Sequence, residues 1–189
     1  DVDHSLNICY GNKSNAELLH GYGFSTRKNS DDTARISIPL VNDELLMQKV
    51  ALLPRALVTN PVCAHEILDD GPSAWGTVRW ELDGDELVAC PSAELTMVLR
   101  LSLATSTHEL FTAMTASADT QQDSDSTVSL PRPAWELLAE CSKKALAALP
   151  CVVDQTDGCR AISIAVADAL QARREILTSL FHEAKSGCA

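Results

Sequence analysis

A short stretch near the N-terminus holds the residue types best suited to chemistry. Tyr10 stands before a predicted helix and Tyr22 and Phe24 stand after it, and the capping-box pattern of Ser14 and Glu17 predicts where that helix begins. Folding this segment brings three aromatic rings close together, in a chain with only two tyrosines, three phenylalanines and three tryptophans. Aromatic faces attract cations, and a tyrosine hydroxyl can accept a hydrogen bond from an amine and orient its lone pair. The same placement also fits core aromatics packed beside a capped helix.

The sequence around these rings resembles a motif of a known enzyme family. The run Tyr-Gly-Asn-Lys-Ser-Asn-Ala-Glu-Leu from Tyr10 to Leu18, followed by Tyr22, Gly23 and Phe24, resembles the last motif of the SET domain in the Rubisco large-subunit lysine methyltransferase family. That family includes relatives that methylate lysine or an actin histidine. The resemblance implies that Tyr10 is the catalytic tyrosine at the methyl-transfer centre. It also implies that Tyr22 lines the channel for the substrate lysine and that Phe24 packs near the adenine of the cofactor, S-adenosylmethionine (AdoMet).

The residue types in this motif suit methyl transfer to an amine. Methylation requires a neutral nitrogen, whereas a free lysine side chain has a pKa of about 10.4. A narrow aromatic channel removes water from the ammonium group and thereby lowers its pKa. Aromatic faces also favour the cationic sulfonium, by on the order of 1 kcal/mol or more when water is excluded.

The resemblance further implies which part of an enzyme this sequence contains. In the family, AdoMet is bound mainly by residues upstream of the tyrosine motif, including an early glycine-rich element and an Asn-His pair. No Asn-His dipeptide occurs in this sequence, and only residues 1–9 precede Tyr10. We therefore expect the C-terminal part of an AdoMet-dependent protein-lysine N-methyltransferase, which by itself neither binds AdoMet tightly nor methylates.

Two other interpretations stay open at this point. A truncated relative of the SET family can keep only a helical scaffold and act as a non-catalytic protein-interaction module. The second of these interpretations is a helical adaptor that is unrelated to SET proteins. A longer native sequence that contains the Asn-His motif would favour the enzyme, whereas a start codon just before Asp1 would favour an interaction module.

The charge of the chain limits its partners. Nucleic acid and anionic membranes are poor partners for a chain of net charge −11, because like charges repel. Residues 36–130 carry most of the excess, with fourteen acidic groups against four basic ones. Such a surface can attract a basic protein, although a solvated acidic face is the simpler interpretation. Together, the acidic charge and the family resemblance predict a monomer whose partner is a protein substrate bearing the acceptor lysine.

The cysteine pattern gives no sign of a metal site or of a disulfide framework. No two cysteines are spaced as Cys-x-x-Cys, and His65 with Glu66 lacks a third ligand at suitable spacing, so we predict no metal. Without a visible signal peptide, reduced thiols are the simpler interpretation. We expect an intracellular protein, of the chloroplast or of the cytoplasm and nucleus. The seven cysteines are Cys9, Cys63, Cys90, Cys141, Cys151, Cys159 and Cys188.

The rest of the chain is predicted to be mainly α-helical. We expect residues 1–30 to be the C-terminal end of a β-rich SET domain and residues 31–189 to be a helical substrate-binding domain with a few short strands. The Asn42 side chain is the predicted cap of one helix and that of Thr107 of another. The pair Arg173 and Arg174 is predicted to sit toward the polar face of the last helix, and the spacing also includes Arg173 in the buried stripe of that helix. The predicted strands cover residues 34–40, 75–82 and 86–90, and the predicted helices cover 42–53, 91–103, 108–117, 134–149 and 159–184.

Overall fold

A computed structural model describes residues 8–41, 43–59, 71–83, 86–119, 130–149 and 160–187 of the chain. Within these ranges it shows six helices and four strands. The helices are α1 (Asn15–Tyr22), α2 (Leu46–Leu52), α3 (Ala93–Leu103), α4 (Thr107–Asp119), α5 (Arg132–Ala148) and α6 (Arg160–Ser186). The strands are β1 (Thr33–Pro39), β2 (Val58–Thr59), β3 (Ser73–Asp83) and β4 (Glu86–Pro91). The predicted fold class, mainly α with a few short strands, is confirmed.

The long strand β3 is the centre of a small antiparallel sheet. Strand β1 pairs along one side of it, from Thr33 opposite Arg79 to Pro39 opposite Ser73. On the other side, β2 pairs with the first two residues of β3, and β4 pairs with the last six, from Val78 opposite Pro91 to Asp83 opposite Glu86. Strand β1 therefore lies at an edge, as Pro39 predicts, because proline cannot donate to a second neighbouring strand.

The core lies between this sheet and the helices. Ala34, Ile36 and Ile38 alternate along β1 and are all buried, which is the two-residue period of a half-buried strand. Helices α3, α5 and α6 contact the sheet, and α4 packs against α3. The buried side chains of the remaining elements include Ala74, Val78, Leu95, Val98, Leu99, Leu101, Leu110, Leu138, Ile176, Leu177 and Leu180.

Helix starts account for most of the differences between prediction and structure. Helix α2 begins at Leu46 rather than after a cap at Asn42, which lies outside the described residues. The Asp43 carboxylate accepts a hydrogen bond from the Leu45 backbone N–H at 3.0 Å. This local turn competes with helix formation and delays it.

The starts of α4 and α5 also differ from the predicted ones. The side chain that caps α4 is Ser106, one residue before the predicted Thr107, and its hydroxyl accepts from the Glu109 N–H at 3.2 Å. Helix α5 starts at Arg132 rather than residue 134, because Pro133 is tolerated in the first turn of a helix.

Arg173 lies between the two faces of α6 for which its position is predicted. Its side chain is half-buried against β1, where it donates to the Arg35 carbonyl at 3.2 Å.

A buried lysine joins α2 to the rest of the core. Lys49 is fully buried, and its Nζ donates to the Asp43 carboxylate at 2.7 Å and to the Ser102 carbonyl at 3.2 Å. The Ser102 hydroxyl in turn donates to the Pro39 carbonyl at 2.6 Å. The network explains why a lysine occupies the apolar stripe of a helix, and it ties α2 to α3 and to the end of β1.

Removing the carboxylate from this network is expected to destabilise the protein more than removing the lysine. Asp43→Ala leaves a buried ammonium without its counter-ion, whereas Lys49→Met replaces the charge with an apolar side chain of similar length. Urea denaturation of the two variants measures the difference. A larger loss for Lys49→Met would contradict this account.

The pH dependence of stability tests the same ion pair. The hydrogen bond from Lys49 holds the pKa of the Asp43 carboxyl below its usual range. The stabilisation is therefore present above the unfolded-state pKa of about 3.9 and is lost as the pH falls through the lower folded-state pKa. Lys49→Met is expected to reduce the change of the free energy of unfolding with pH over the range in which the Asp43 carboxyl titrates.

Candidate functional site

The predicted helix near the N-terminus is confirmed as α1, with both halves of its capping box. The Ser14 hydroxyl accepts from the Glu17 N–H at 3.3 Å, and the Glu17 carboxylate accepts from the Ser14 N–H at 2.9 Å. At the other end, Gly23 adopts a left-handed conformation with φ of 77° and donates to the Leu19 carbonyl at 3.0 Å. Glycine adopts this conformation without the steric cost that a Cβ would add. The chain can therefore turn back immediately after α1.

This turn brings together Tyr10, Tyr22 and Phe24, which we call the ring cluster. The ring centroid of Tyr10 lies 4.7 Å from that of Tyr22 and 5.3 Å from that of Phe24, in edge-to-face geometry. The rings of Tyr22 and Phe24 are 6.2 Å apart. Such distances and angles are those that aromatic pairs prefer. The predicted approach of the three rings is confirmed.

The ring cluster lies at the surface rather than in the core. Tyr10 is 40% exposed, Tyr22 is 51% exposed, and Phe24 is half-buried. These values argue against core aromatics packed beside a helix, because such rings would be removed from water. Both tyrosines of the chain thus lie at one exposed position, which is typical of a binding surface.

A buried asparagine lies behind the ring cluster. Asn15, 1% exposed, is the first residue of α1. Its side-chain amide exchanges two hydrogen bonds with the Thr26 backbone: Nδ2 donates to the carbonyl at 3.1 Å, and Oδ1 accepts from the N–H at 2.9 Å. Sequence reasoning assigned no role to Asn15, although an asparagine beside a helix cap signals side-chain bonding to a nearby backbone.

Asn29 and Asp32 complete the contacts of this asparagine, and we call Asn15, Asn29 and Asp32 the polar clamp. Asp32, 3% exposed, accepts from the Asn15 backbone N–H at 2.8 Å and from its Nδ2 at 2.9 Å. Asn29 Nδ2 donates to the Lys13 carbonyl at 2.8 Å and to Asn15 Oδ1 at 3.4 Å. Burial raises the pKa of the Asp32 carboxyl, and hydrogen bonds from Asn15 and Thr33 oppose that rise.

The loop after the ring cluster is attached to α6. The Ser25 hydroxyl donates to the Ala165 carbonyl at 2.9 Å. Arg27 pairs with Asp168 at 3.2 Å, but the arginine side chain is 82% exposed, so this ion pair contributes little. Hydrogen bonds of the polar clamp cross the predicted domain boundary at residues 30 and 31, and that boundary stays a prediction.

The described part of the chain offers no cluster of three or more His, Cys, Asp and Glu side chains that could hold a metal ion. The pair His65 and Glu66 lies outside the described residues. Among the cysteines that the structure describes, Cys9, Cys90 and Cys141 are free thiols. Burial raises the pKa of Cys90 and of Cys141 to about 11, so neither thiol is reactive at neutral pH. Among the helices of the described ranges, none combines the length and the apolar content that a membrane span needs.

Comparison with solved structures defines the class of fold. No family model and no curated protein matches the sequence. The chain nevertheless has a SET-like fold. A solved structure that shows this is the SET domain of LSMT bound to lysine and AdoHcy, with a TM-score of 0.54 and 16% sequence identity. The match covers 97% of this chain but only 40% of that one, so the chain spans less than half the length of the solved neighbour.

Proposed function

We propose that this chain is the C-terminal part of an AdoMet-dependent protein-lysine N-methyltransferase, in which residues 31–189 dock the protein substrate. The observation that carries the proposal is the exposed ring cluster of Tyr10, Tyr22 and Phe24 on a SET-like fold. The motif from Tyr10 to Phe24 and the SET-like fold both support it.

Each ring has a distinct role in this proposal. The Tyr10 hydroxyl accepts a hydrogen bond from the substrate amine and orients the nitrogen lone pair, which is a positioning effect. Tyr22 forms a wall of the lysine channel and excludes water from the ammonium, which lowers the pKa of that group and favours the reactive neutral amine. Phe24 offers an aromatic face for the adenine of the cofactor.

The residues of the ring cluster suit AdoMet in their chemistry. Aromatic faces that are open to solvent, as those of Tyr10 and Tyr22 are, attract a sulfonium cation once water is displaced. When bound, AdoMet supplies the electrophilic methyl group. The three rings provide only one side of such a site, so we propose that tight cofactor binding needs further residues outside these 189.

The substrate in this proposal is a protein lysine. The excess of acidic groups in residues 36–130 complements a basic protein surface around the acceptor. The same charge disfavours nucleic acid, because phosphates are repelled.

Methyl transfer by the native protein tests the proposal. We expect the native polypeptide that contains this sequence to move a tritiated methyl group from AdoMet to lysine in a protein extract. The isolated 189-residue chain is expected to show no micromolar AdoMet binding in a calorimetric titration, because only part of the site is present. Absence of transfer by the native polypeptide would overturn the enzymatic proposal, and micromolar binding by the isolated chain would overturn the statement that it lacks most of the site.

A control distinguishes specific cofactor binding from nonspecific binding to the exposed rings. Adenosine lacks the sulfonium but keeps the base, so it tests whether any heat in the titration comes from the charged centre. Acid hydrolysis of the labelled product identifies the methylated amino acid and distinguishes lysine from histidine.

A further inference from the structure

The position of the ring cluster cannot be fixed by hydrophobic packing alone. Tyr10 and Tyr22 are 40% and 51% exposed, and neither belongs to the core. Their rings nevertheless lie 4.7 Å apart. Surface side chains on a turn are free to move unless their backbone is held, so the restraint has to come from the chain segments behind the rings.

Three segments carry the three rings, and the polar clamp joins them. Tyr10 lies three residues before Lys13, whose carbonyl accepts from Asn29 at 2.8 Å. Phe24 lies two residues before Thr26, whose backbone N–H and carbonyl both bond to the side chain of Asn15. Tyr22 ends the helix that Asn15 begins. Each ring is thus at most seven residues from a clamp contact.

Asn15 makes more of these contacts than either partner. Its Nδ2 donates to the Thr26 carbonyl and to Asp32, and its Oδ1 accepts from the Thr26 N–H and from Asn29. Both donor hydrogens and both acceptor positions of the amide are therefore used. The side chains of Asn15 and Asp32 are buried, so loss of the bonds between them leaves polar groups without water to replace the partner.

We propose that Asn15 is a positioning residue for the ring cluster, acting through Thr26 and with Asn29 and Asp32. This inference rests on the proposed function, since it assigns to Asn15 the task of holding Tyr10, Tyr22 and Phe24 in the arrangement that methyl transfer needs. Asn15 does not touch the substrate or the cofactor. Its loss loosens the rings while the core of α3, α5 and the sheet stays folded, because no core side chain belongs to the polar clamp.

Ring-to-ring nuclear Overhauser cross-peaks in the 189-residue chain test the proposal. In the unmodified protein, the short ring distances give cross-peaks among Tyr10, Tyr22 and Phe24. Asn15→Asp keeps the shape of the side chain but replaces Nδ2 with an oxygen and sets two carboxylates against each other. We expect loss of the cross-peaks to Phe24, with unchanged amide signals for α3 and α5.

A charge swap provides the rescue. Adding Asp32→Asn to Asn15→Asp returns one carboxylate and one amide to the pair, now in reversed order. The bond from the backbone N–H of residue 15 to residue 32 and the bond from the Thr26 N–H can both persist. The Thr26 carbonyl still lacks the donor that Asn15 Nδ2 supplies in the unmodified protein. We therefore expect the double variant to regain the cross-peaks to Phe24 in part. The matched control is Gly21→Ala on the same helix, where an added Cβ meets nothing within 4 Å, and all cross-peaks are expected to remain.

Several outcomes overturn the proposal. Intact cross-peaks in Asn15→Asp with a lower midpoint of urea denaturation would show that Asn15 serves stability alone. Failure of the charge swap to restore any of them would show that the pairing of residues 15 and 32 is not what holds the rings. Should Asn15→Asp fail to fold, Asn29→Ala is the second variant. It removes the bond to the Lys13 carbonyl, so we expect loss of the Tyr10 cross-peaks only, and intact Tyr10 cross-peaks would contradict the proposal.

The outcome of this experiment does not depend on whether the proposed function is correct. Its readout needs neither cofactor nor substrate. Loss and rescue of the cross-peaks, combined with a native polypeptide that transfers no methyl group, would uphold the polar clamp and reject the enzyme. Methyl transfer with unchanged cross-peaks in Asn15→Asp would do the reverse.

Discussion

Gly76→Ala is expected to lower the free energy of unfolding by about 3 kcal/mol. A Cβ added at Gly76 would lie 2.5 Å from Leu95 Cδ1, 2.6 Å from Leu95 Cβ and 2.7 Å from Leu95 Cα. The first atom can move by a change of rotamer, but the other two are fixed to the backbone of α3. Relieving the clash therefore requires α3 to shift on β3, and α3 carries the fully buried Val98, Leu99 and Leu101.

The intrinsic preference of the strand works against this effect but is too small to reverse it. Alanine is favoured over glycine within strands by less than about 1 kcal/mol. Gly21→Ala is the matched control, because an added Cβ there meets nothing within 4 Å and the residue lies inside α1. That variant is expected to gain about 0.5–1 kcal/mol.

Urea denaturation of both variants measures the difference. Adding Leu95→Ala to Gly76→Ala is expected to restore little stability, because it removes the clashing Cδ1 atom but keeps the two clashing atoms nearest the backbone of residue 95. A loss below about 1 kcal/mol in Gly76→Ala would show that α3 can slide on the sheet at little cost.

The close approach at Gly76 illustrates what local patterns in the sequence cannot predict. The alternating residues around Gly76 predict the strand, and the leucine spacing around Leu95 predicts the buried helix. Both predictions are confirmed by β3 and α3. Strand β3 and helix α3 approach so closely at Gly76 that only a hydrogen atom fits between them. This close approach is a tertiary property, because it depends on how distant segments pack.

In the candidate site, too, the sequence predicts the local contacts but not the contacts between distant residues. The capping box of Ser14 and Glu17 is local, so the sequence predicts α1 and hence the meeting of the rings. The bonds from Asn15 to Asp32 join residues that are seventeen positions apart, and no local pattern specifies such a pairing. The contact of Lys49 with the Ser102 carbonyl is a further case, since the two residues lie fifty-three positions apart.

If the proposed methyl transfer occurs, Tyr10→Phe is expected to lower its rate in the native polypeptide by about 10²-fold or more, which corresponds to about 2.7 kcal/mol of transition-state stabilisation. The substitution removes one hydroxyl and keeps the ring, so the edge-to-face contacts with Tyr22 and Phe24 remain. The side chain is 40% exposed, and its hydroxyl makes no hydrogen bond within the part of the chain that the structure describes. We therefore expect the midpoint of urea denaturation to change little.

Tyr22→Phe is the matched control, because it removes the second hydroxyl of the same ring cluster. As a wall of the proposed channel, Tyr22 acts mainly through its ring, so its loss of activity is expected to be smaller than that of Tyr10→Phe. A fall in kcat with an unchanged KM in Tyr10→Phe would place the lost interaction in the transition state. Equal activity of Tyr10→Phe and the unmodified polypeptide would remove Tyr10 from the proposed reaction, because a hydroxyl that orients the attacking amine cannot be lost without slowing the transfer.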